Sequence, residues 1–90
     1  MRKLKAAAAE LAENFTLSGA VMPGAAKVTV TAAKRLMVEG HHGILEYGNE
    51  HIAVSALPGK IHIYGTALSL SAMSSDTLIL TGNISSVEYE

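Results

Sequence analysis

Residues 51–65 read HIAVSALPGKIHIYG, and this stretch decides the fold class. Branched apolar residues occupy every second position on both sides of a central Pro-Gly pair: Ile52 and Val54 before it, Ile61 and Ile63 after it. A period of two gives a strand one apolar and one polar face, and Pro and Gly favour tight turns. The stretch therefore predicts two antiparallel strands joined by a short turn.

The same stretch predicts a register. If Pro58 and Gly59 are the central residues of a two-residue loop, Ser55 lies opposite His62. His51 and His62 then share the outer face but lie four residues apart, or about 13 Å at ~3.3 Å per residue. A zinc ligand nitrogen must lie within about 2.1 Å of the ion. The predicted register therefore prevents the two histidines from sharing a metal.

Alternating apolar residues recur along the chain, separated by Gly, Asn and Ser. The repeats fall at residues 28–30, 36–38, 68–70 and 78–80. The pattern predicts an all-β single small domain over residues 24–90, with seven or eight short, mostly antiparallel strands arranged as a meander, a sandwich or a small barrel. Residues 61–65 also resemble residues 78–82, which favours a repeated hairpin unit and leaves a parallel β-solenoid as the alternative.

Residues 1–18 have a different pattern. Leu4, Ala8, Leu11 and Phe15 fall on one face of a helix, and the surrounding residues are strong helix formers. We expect a short amphipathic helix over residues 2–14, or a tail that docks or frays. Its basic residues also allow a membrane-surface module anchored by residues 1–15.

Composition and charge narrow the possible functions. Apolar residues make up 49% of the chain and charged residues 17%, below the ~25% typical of soluble domains. Either the surface is unusually apolar or a partner covers part of it, and we favour the partner. Residues 1–35 carry a net charge of +4 and residues 36–90 a net charge of −5. An acidic β-region argues against nucleic-acid binding. No stretch reaches the ~20 apolar residues of a membrane span, and we expect a cytoplasmic protein.

The residues contain no recognisable catalytic motif: no nucleophile elbow, no phosphate-binding loop and no useful carboxylate pair. We expect a non-enzymatic protein without a cofactor. The most distinctive stretch is the turn Glu39, Gly40, His41, His42 and Gly43, where glycines bracket two histidines. Such a turn often carries a binding function, so we predict an interaction site here. A small metal- or ligand-binding site centred on His41 and His42 is the alternative.

Three segments resemble the YqfC/YabP family of sporulation proteins, and its YqfC members more closely. They are VEGHHGILEY (residues 38–47), GKIHIYGTALSLSAM (59–73) and DTLILTGNISSVEYE (76–90). The shared motifs are an acid-x-His-x-Gly turn, a strand bounded by Gly59 and Gly65, and a closing Leu-x-Gly-x-Ile. The family's turn usually has Asn where this chain has Gly40.

The resemblance implies a small protein of the mother cell of endospore-forming bacteria, needed for spore development. It implies an assembly or adaptor role beside a membrane-bound sporulation partner, YqfD, and no catalytic residues. From the free strand edges of a β-domain we also expect a homo-oligomer or a docked partner.

Overall fold

The computed structural model describes residues 26–56 and 59–89 in full, and the backbone of residues 4–7 and 15–17. It contains eight strands: β1 (Leu4–Ala7), β2 (Phe15–Leu17), β3 (Lys27–Thr31), β4 (Arg35–Glu39), β5 (Ile44–Tyr47), β6 (His51–Ala56), β7 (Gly59–Met73) and β8 (Thr77–Tyr89). They form one open sheet in the order β2-β3-β4-β8-β7-β6-β5, with β1 paired to β8. Every one of these pairings is antiparallel, which confirms the all-β prediction and excludes the parallel solenoid for the described strands.

β7 and β8 are much longer than the short strands that the sequence predicts. Gly65 and Gly82 lie inside these strands, where the β7–β8 hairpin bends and its register shifts. A Cβ at Gly65 would overlap the carbonyl oxygen of Asn83, and Gly82 has a φ of +141°. Glycine is therefore needed at both positions, because the two backbones approach too closely for a side chain.

The bend divides the sheet into two halves that share one core. The β3–β4 half contains β2, β3, β4, the start of β8 and the end of β7; the β5–β6 half contains β5, β6, the start of β7, the end of β8 and β1. Apolar residues from both halves form a single buried cluster, among them Leu36, Val38, Leu78, Ile52 and Ile63. Folding the bent sheet over itself removes these side chains from water, which is the main favourable contribution to its stability.

The two hairpins β3–β4 and β5–β6 attach to the bend in equivalent ways. The carbonyl of Lys34 accepts the Gly82 amide at 3.0 Å, and the carbonyl of Glu50 accepts the Gly65 amide at 3.1 Å. The preceding residues, Ala33 and Asn49, each accept a further amide at 2.8 Å, from β8 and β7 respectively. This approximate two-fold arrangement explains the resemblance of residues 61–65 to residues 78–82.

The predicted β6–β7 register is wrong by two residues. Ser55 lies opposite Lys60, Ala53 lies opposite His62, and Ala56 pairs with Gly59. A shift of two residues leaves every side chain on the same face of the sheet, so the apolar pattern fits both registers equally well.

Residues 4–7, which fall within the predicted amino-terminal helix, are extended as β1. Their partner is the end of β8, where Leu4 lies opposite Tyr89 and Lys5 opposite Glu88. Pairing with β8 gives residues 4–7 hydrogen bonds to a neighbouring strand. A short helix without tertiary contacts is only marginally stable in water. The rest of the predicted helix, residues 2–3 and 8–14, lies outside the described residues.

Candidate functional site

The turn predicted as an interaction site connects three parts of the fold. The amides of Gly40 and His41 donate to the carbonyl of Asp76, at the tip of the β7–β8 hairpin. The amide of His42 donates to the carbonyl of Ser55 at 2.7 Å, and the Ser55 amide donates back to Gly43. The turn thus ties the end of β4 to the β7–β8 hairpin and to β6.

The glycines of this turn are needed for its backbone conformation. Gly40 has a φ of +87° and Gly43 a φ of +108°, both in the region that favours glycine. Glu39 ends β4, half-buried between Lys27 of β3 and Thr77 of β8 in the ladder. The turn's conformation therefore follows directly from the bracketing glycines.

The two histidines of the turn have different environments. His41 is buried, with 4% of its surface exposed. Its Nδ1 accepts the Gly43 amide at 2.9 Å, so its Nε2 carries the proton and donates to the Ser74 carbonyl at 3.1 Å. His42 is exposed. Because both nitrogens of His41 are used inside the protein, the predicted pair does not form a joint ligand set in this geometry.

A second cluster, not predicted from the sequence, lies on the outer face of the β5–β6 half. Glu46 Oε2 is 3.1 Å from His51 Nδ1, and His51 Nε2 is 3.0 Å from His62 Nδ1. The ring of Tyr64 packs on His51 with centroids 4.8 Å apart. Three strands thus contribute to one hydrogen-bonded chain, Glu46–His51–His62.

This cluster corrects the predicted separation of His51 and His62. The expected distance of about 13 Å came from the wrong register. In the actual register His62 lies opposite Ala53, which places it diagonally beside His51. Diagonal neighbours on one sheet face are within reach of long and aromatic side chains. The signal that could have revealed the cluster is the outward alternation of His51, His62 and Tyr64, combined with the alternative register.

The geometry of the histidine pair suits a proton better than a metal ion. The ring centroids are 5.2 Å apart and the ring planes differ by 11°. This separation equals the N···N distance plus about one ring radius at each end, so the rings lie end to end in nearly one plane, not face to face. A zinc ion needs two lone pairs that converge at an angle on a point about 2.0–2.1 Å from each nitrogen. Here the two nitrogens point at each other.

Metal ligands are also sparse around the pair. Among the residues that the structure describes, no group of three or more His, Cys, Asp or Glu side chains could hold a metal ion. The chain Glu46–His51–His62 is therefore best described as a hydrogen-bonded relay in which one proton links the two imidazoles.

Large apolar side chains are exposed next to this cluster, on β5. Leu45 is 56% exposed and Tyr47 is 55% exposed. β5 is the last strand in the order and pairs with β6, through a ladder that shifts register between Ile44 and Glu46. The hydroxyl of Tyr47 accepts the Leu70 amide of β7 at 3.0 Å. An apolar edge strand thus borders the polar cluster.

Comparison with protein families matches residues 23–90, which include the turn, the histidine relay and β5, to the YabP family. The chain belongs to the YabP family. YabP proteins are a sporulation family, so this chain has a sporulation-related role, and the family is not known for enzymatic activity. No curated protein and no solved structure matches the chain. The match confirms the family resemblance seen in the sequence.

Two expectations for the YabP chain concern the membrane. Within the part of the chain that the structure describes, no helix is long and apolar enough to cross a membrane. The membrane-surface module expected at residues 1–15 lies largely outside the described residues, apart from the backbone of β1 and of Phe15. That module stays a prediction.

Proposed function

We propose that this chain is a non-enzymatic assembly or adaptor factor that acts in the mother cell during sporulation, together with a membrane-bound sporulation partner of the YqfD type. Membership of the YabP family supports the sporulation role. The adaptor role rests on the surface of the protein, and above all on β5.

The observation that carries the proposal is the apolar edge of β5. The branched residues of β6 and β7 that point to the core are fully buried, whereas Leu45 and Tyr47 of β5 leave more than half of their surfaces in water. An edge strand with unpaired backbone groups and large apolar side chains is a site where another chain can add a strand. Covering such side chains is favourable by about 25 cal/mol per Å² of apolar area.

The charges and the irregular ladder of β5 restrict the partner. Glu46 lies on β5 and Glu50 in the turn that follows it, so the edge is acidic. A partner strand with basic residues among its apolar ones complements this edge, and like charges would oppose it. The register shift at Leu45 also works against the pairing of one β5 with a second β5, because two bulged edges would have to match each other, whereas a different strand can be shaped to fit one bulge. We therefore propose a hetero-complex as the main assembly.

Copurification with the membrane partner tests the proposal. The partner, solubilised in detergent, is captured with the wild-type chain and with Leu45→Ser, which keeps the strand and removes the apolar contact. The matched control is Met73→Ser, because Met73 is 50% exposed but lies on the β7–β8 hairpin. We expect at least tenfold weaker capture by Leu45→Ser and unchanged capture by Met73→Ser.

Two results would contradict the proposal. One is equal capture of the partner by the wild-type chain and Leu45→Ser, with both shown to be folded by circular dichroism. The other is the absence of any capture by a wild-type chain that light scattering shows to be a monodisperse, folded species.

A further inference from the structure

We propose that His51 and His62 form a two-proton switch on the outer face of the β5–β6 half. The two rings stay joined over Ala53 while the pair holds no added proton or one. They separate when the pair takes up two. This inference concerns the chain by itself and does not depend on the proposed partner.

The hydrogen bond between the rings determines how many protons the pair can hold while the rings stay joined. His51 Nε2 and His62 Nδ1 are 3.0 Å apart and point at each other. An N–H···N bond holds one proton, so one of these two nitrogens must be bare. With both imidazoles neutral, His62 donates to His51, and His51 donates from Nδ1 to Glu46. When one proton is added at His62 Nε2, the bridging proton passes to His51 Nε2, and His51 donates at both ends. Both states keep every contact.

A second added proton breaks this arrangement. Both facing nitrogens then carry hydrogens, and two positive rings meet end to end at hydrogen-bond distance. Such a contact loses the hydrogen bond and adds repulsion between like charges. The pair can relieve both effects only if one ring moves away.

A carboxylate lies on either side of the histidine pair. Glu46 of β5 already contacts His51. Glu88 of β8 lies directly opposite His62 in the ladder, where cross-strand side chains are neighbours. Among the described side chains, the other titratable groups on this face are Lys60, two residues from His62 on β7, and Tyr64, whose ring packs on His51. In the backbone ladder, Lys5 of β1 lies opposite Glu88. Glu50 precedes His51 in the turn, so carboxylates outnumber the lysines around the pair.

Ala53 reports on the position of the rings. It points to the outer face, since its neighbours Ile52 and Val54 point to the core, yet it is only 4% exposed. Its ladder partners are Glu46 on one side and His62 on the other. The relay residues are therefore the cross-strand neighbours of Ala53, and we expect separation of the rings to uncover its methyl group.

Nuclear magnetic resonance of the full chain tests the switch. The readout is the solvent relaxation enhancement that a neutral soluble paramagnet produces at the Ala53 methyl group. We compare this enhancement at about pH 7.5 and at about pH 5, which lie on either side of the pKa of about 6.5 that histidine has in model peptides. We expect a severalfold rise in the wild-type chain on acidification, and loss of the contact between the Ala53 methyl and the His62 ring. The dispersion of the backbone amide spectrum at both pH values shows that the fold persists.

Variants separate the switch from a general acid effect. His62→Gln cannot take up a proton, and we expect its Ala53 signal to be the same at both pH values. His51→Gln removes the other histidine of the pair, and its Ala53 signal should likewise be the same at both pH values. It replaces His62→Gln in the test if that variant folds poorly. His42→Gln is the matched control, because His42 is an exposed histidine outside the relay, and it should retain the wild-type response. A wild-type signal that does not change, or a His62→Gln response equal to wild type, would overturn the inference.

Discussion

Replacement of His41 tests whether the turn depends on a histidine inside it. His41→Ala removes the hydrogen bond accepted from the Gly43 amide and the one donated to the Ser74 carbonyl. Each such bond contributes about 0.5–1.5 kcal/mol, and the loss of a buried ring adds to this. Ser74 is exposed, so water can replace the histidine at its carbonyl. We therefore expect the free energy of unfolding to fall by about 2–3 kcal/mol.

Urea unfolding followed by circular dichroism measures this change. For a chain of this size each kcal/mol lowers the melting temperature by roughly 4–8 °C, so thermal unfolding should show a clear shift. His42→Ala is the matched control: its side chain is exposed, and its backbone amide still donates to the carbonyl of Ser55, so we expect a change within about 0.5 kcal/mol. If the two variants have the same stability within error, the structural role assigned to His41 is refuted.

Two further changes follow from the bend and the core. Gly65→Ala should lower the free energy of unfolding by about 3 kcal/mol or more, because its Cβ would overlap the Asn83 carbonyl. The control is Gly48→Ala, whose Cβ meets its nearest atom at 3.3 Å and which should cost less than about 1 kcal/mol. Urea unfolding measures both variants, and equal losses would contradict the close approach at Gly65. Burial raises the pKa of the Tyr89 phenol above 10.0, against a smaller lowering by a backbone hydrogen bond from Ala26. As pH rises, the unfolded chain loses the phenol proton before the folded chain does. The contribution of Tyr89 to stability is therefore complete below about pH 10 and is lost as pH rises through the folded pKa. Tyr89→Phe should make stability fall less steeply at alkaline pH, and a profile equal to that of the wild-type chain would contradict this role of Tyr89.

The fold class could be predicted because the alternation of apolar residues in β3, β4, β6 and the two long strands matches the alternation of buried and exposed positions. The lengths of β7 and β8 could not be predicted. Gly65 and Gly82 are ordinary turn residues in a sequence, and only the crossing of two backbones shows that they sit inside continuous strands. The turn between β3 and β4 could not be recognised from its residues, because Ala32 and Ala33 adopt positive φ values that alanine rarely takes.

The candidate site divides in the same way. The turn around His41 could be located from its glycines, but not the burial of His41, because burial depends on the distant β7–β8 hairpin tip. The relay of Glu46, His51 and His62 was hidden by the register. Both registers bury the same residues, and they differ only in which polar side chains meet on the outer face.

The central position of β8 has a consequence for how the chain is made. Its first part pairs with β4 and its last part with β1, while β7 runs beside it throughout. Neither half of the sheet has a complete set of neighbours until residues 77–89 are present, and most contacts that close the core join residues far apart in sequence. When only the first six strands have left the ribosome, the apolar faces of β3, β4 and β6 are therefore still uncovered. During synthesis, we expect the chain to be open to premature association until its last long strand arrives.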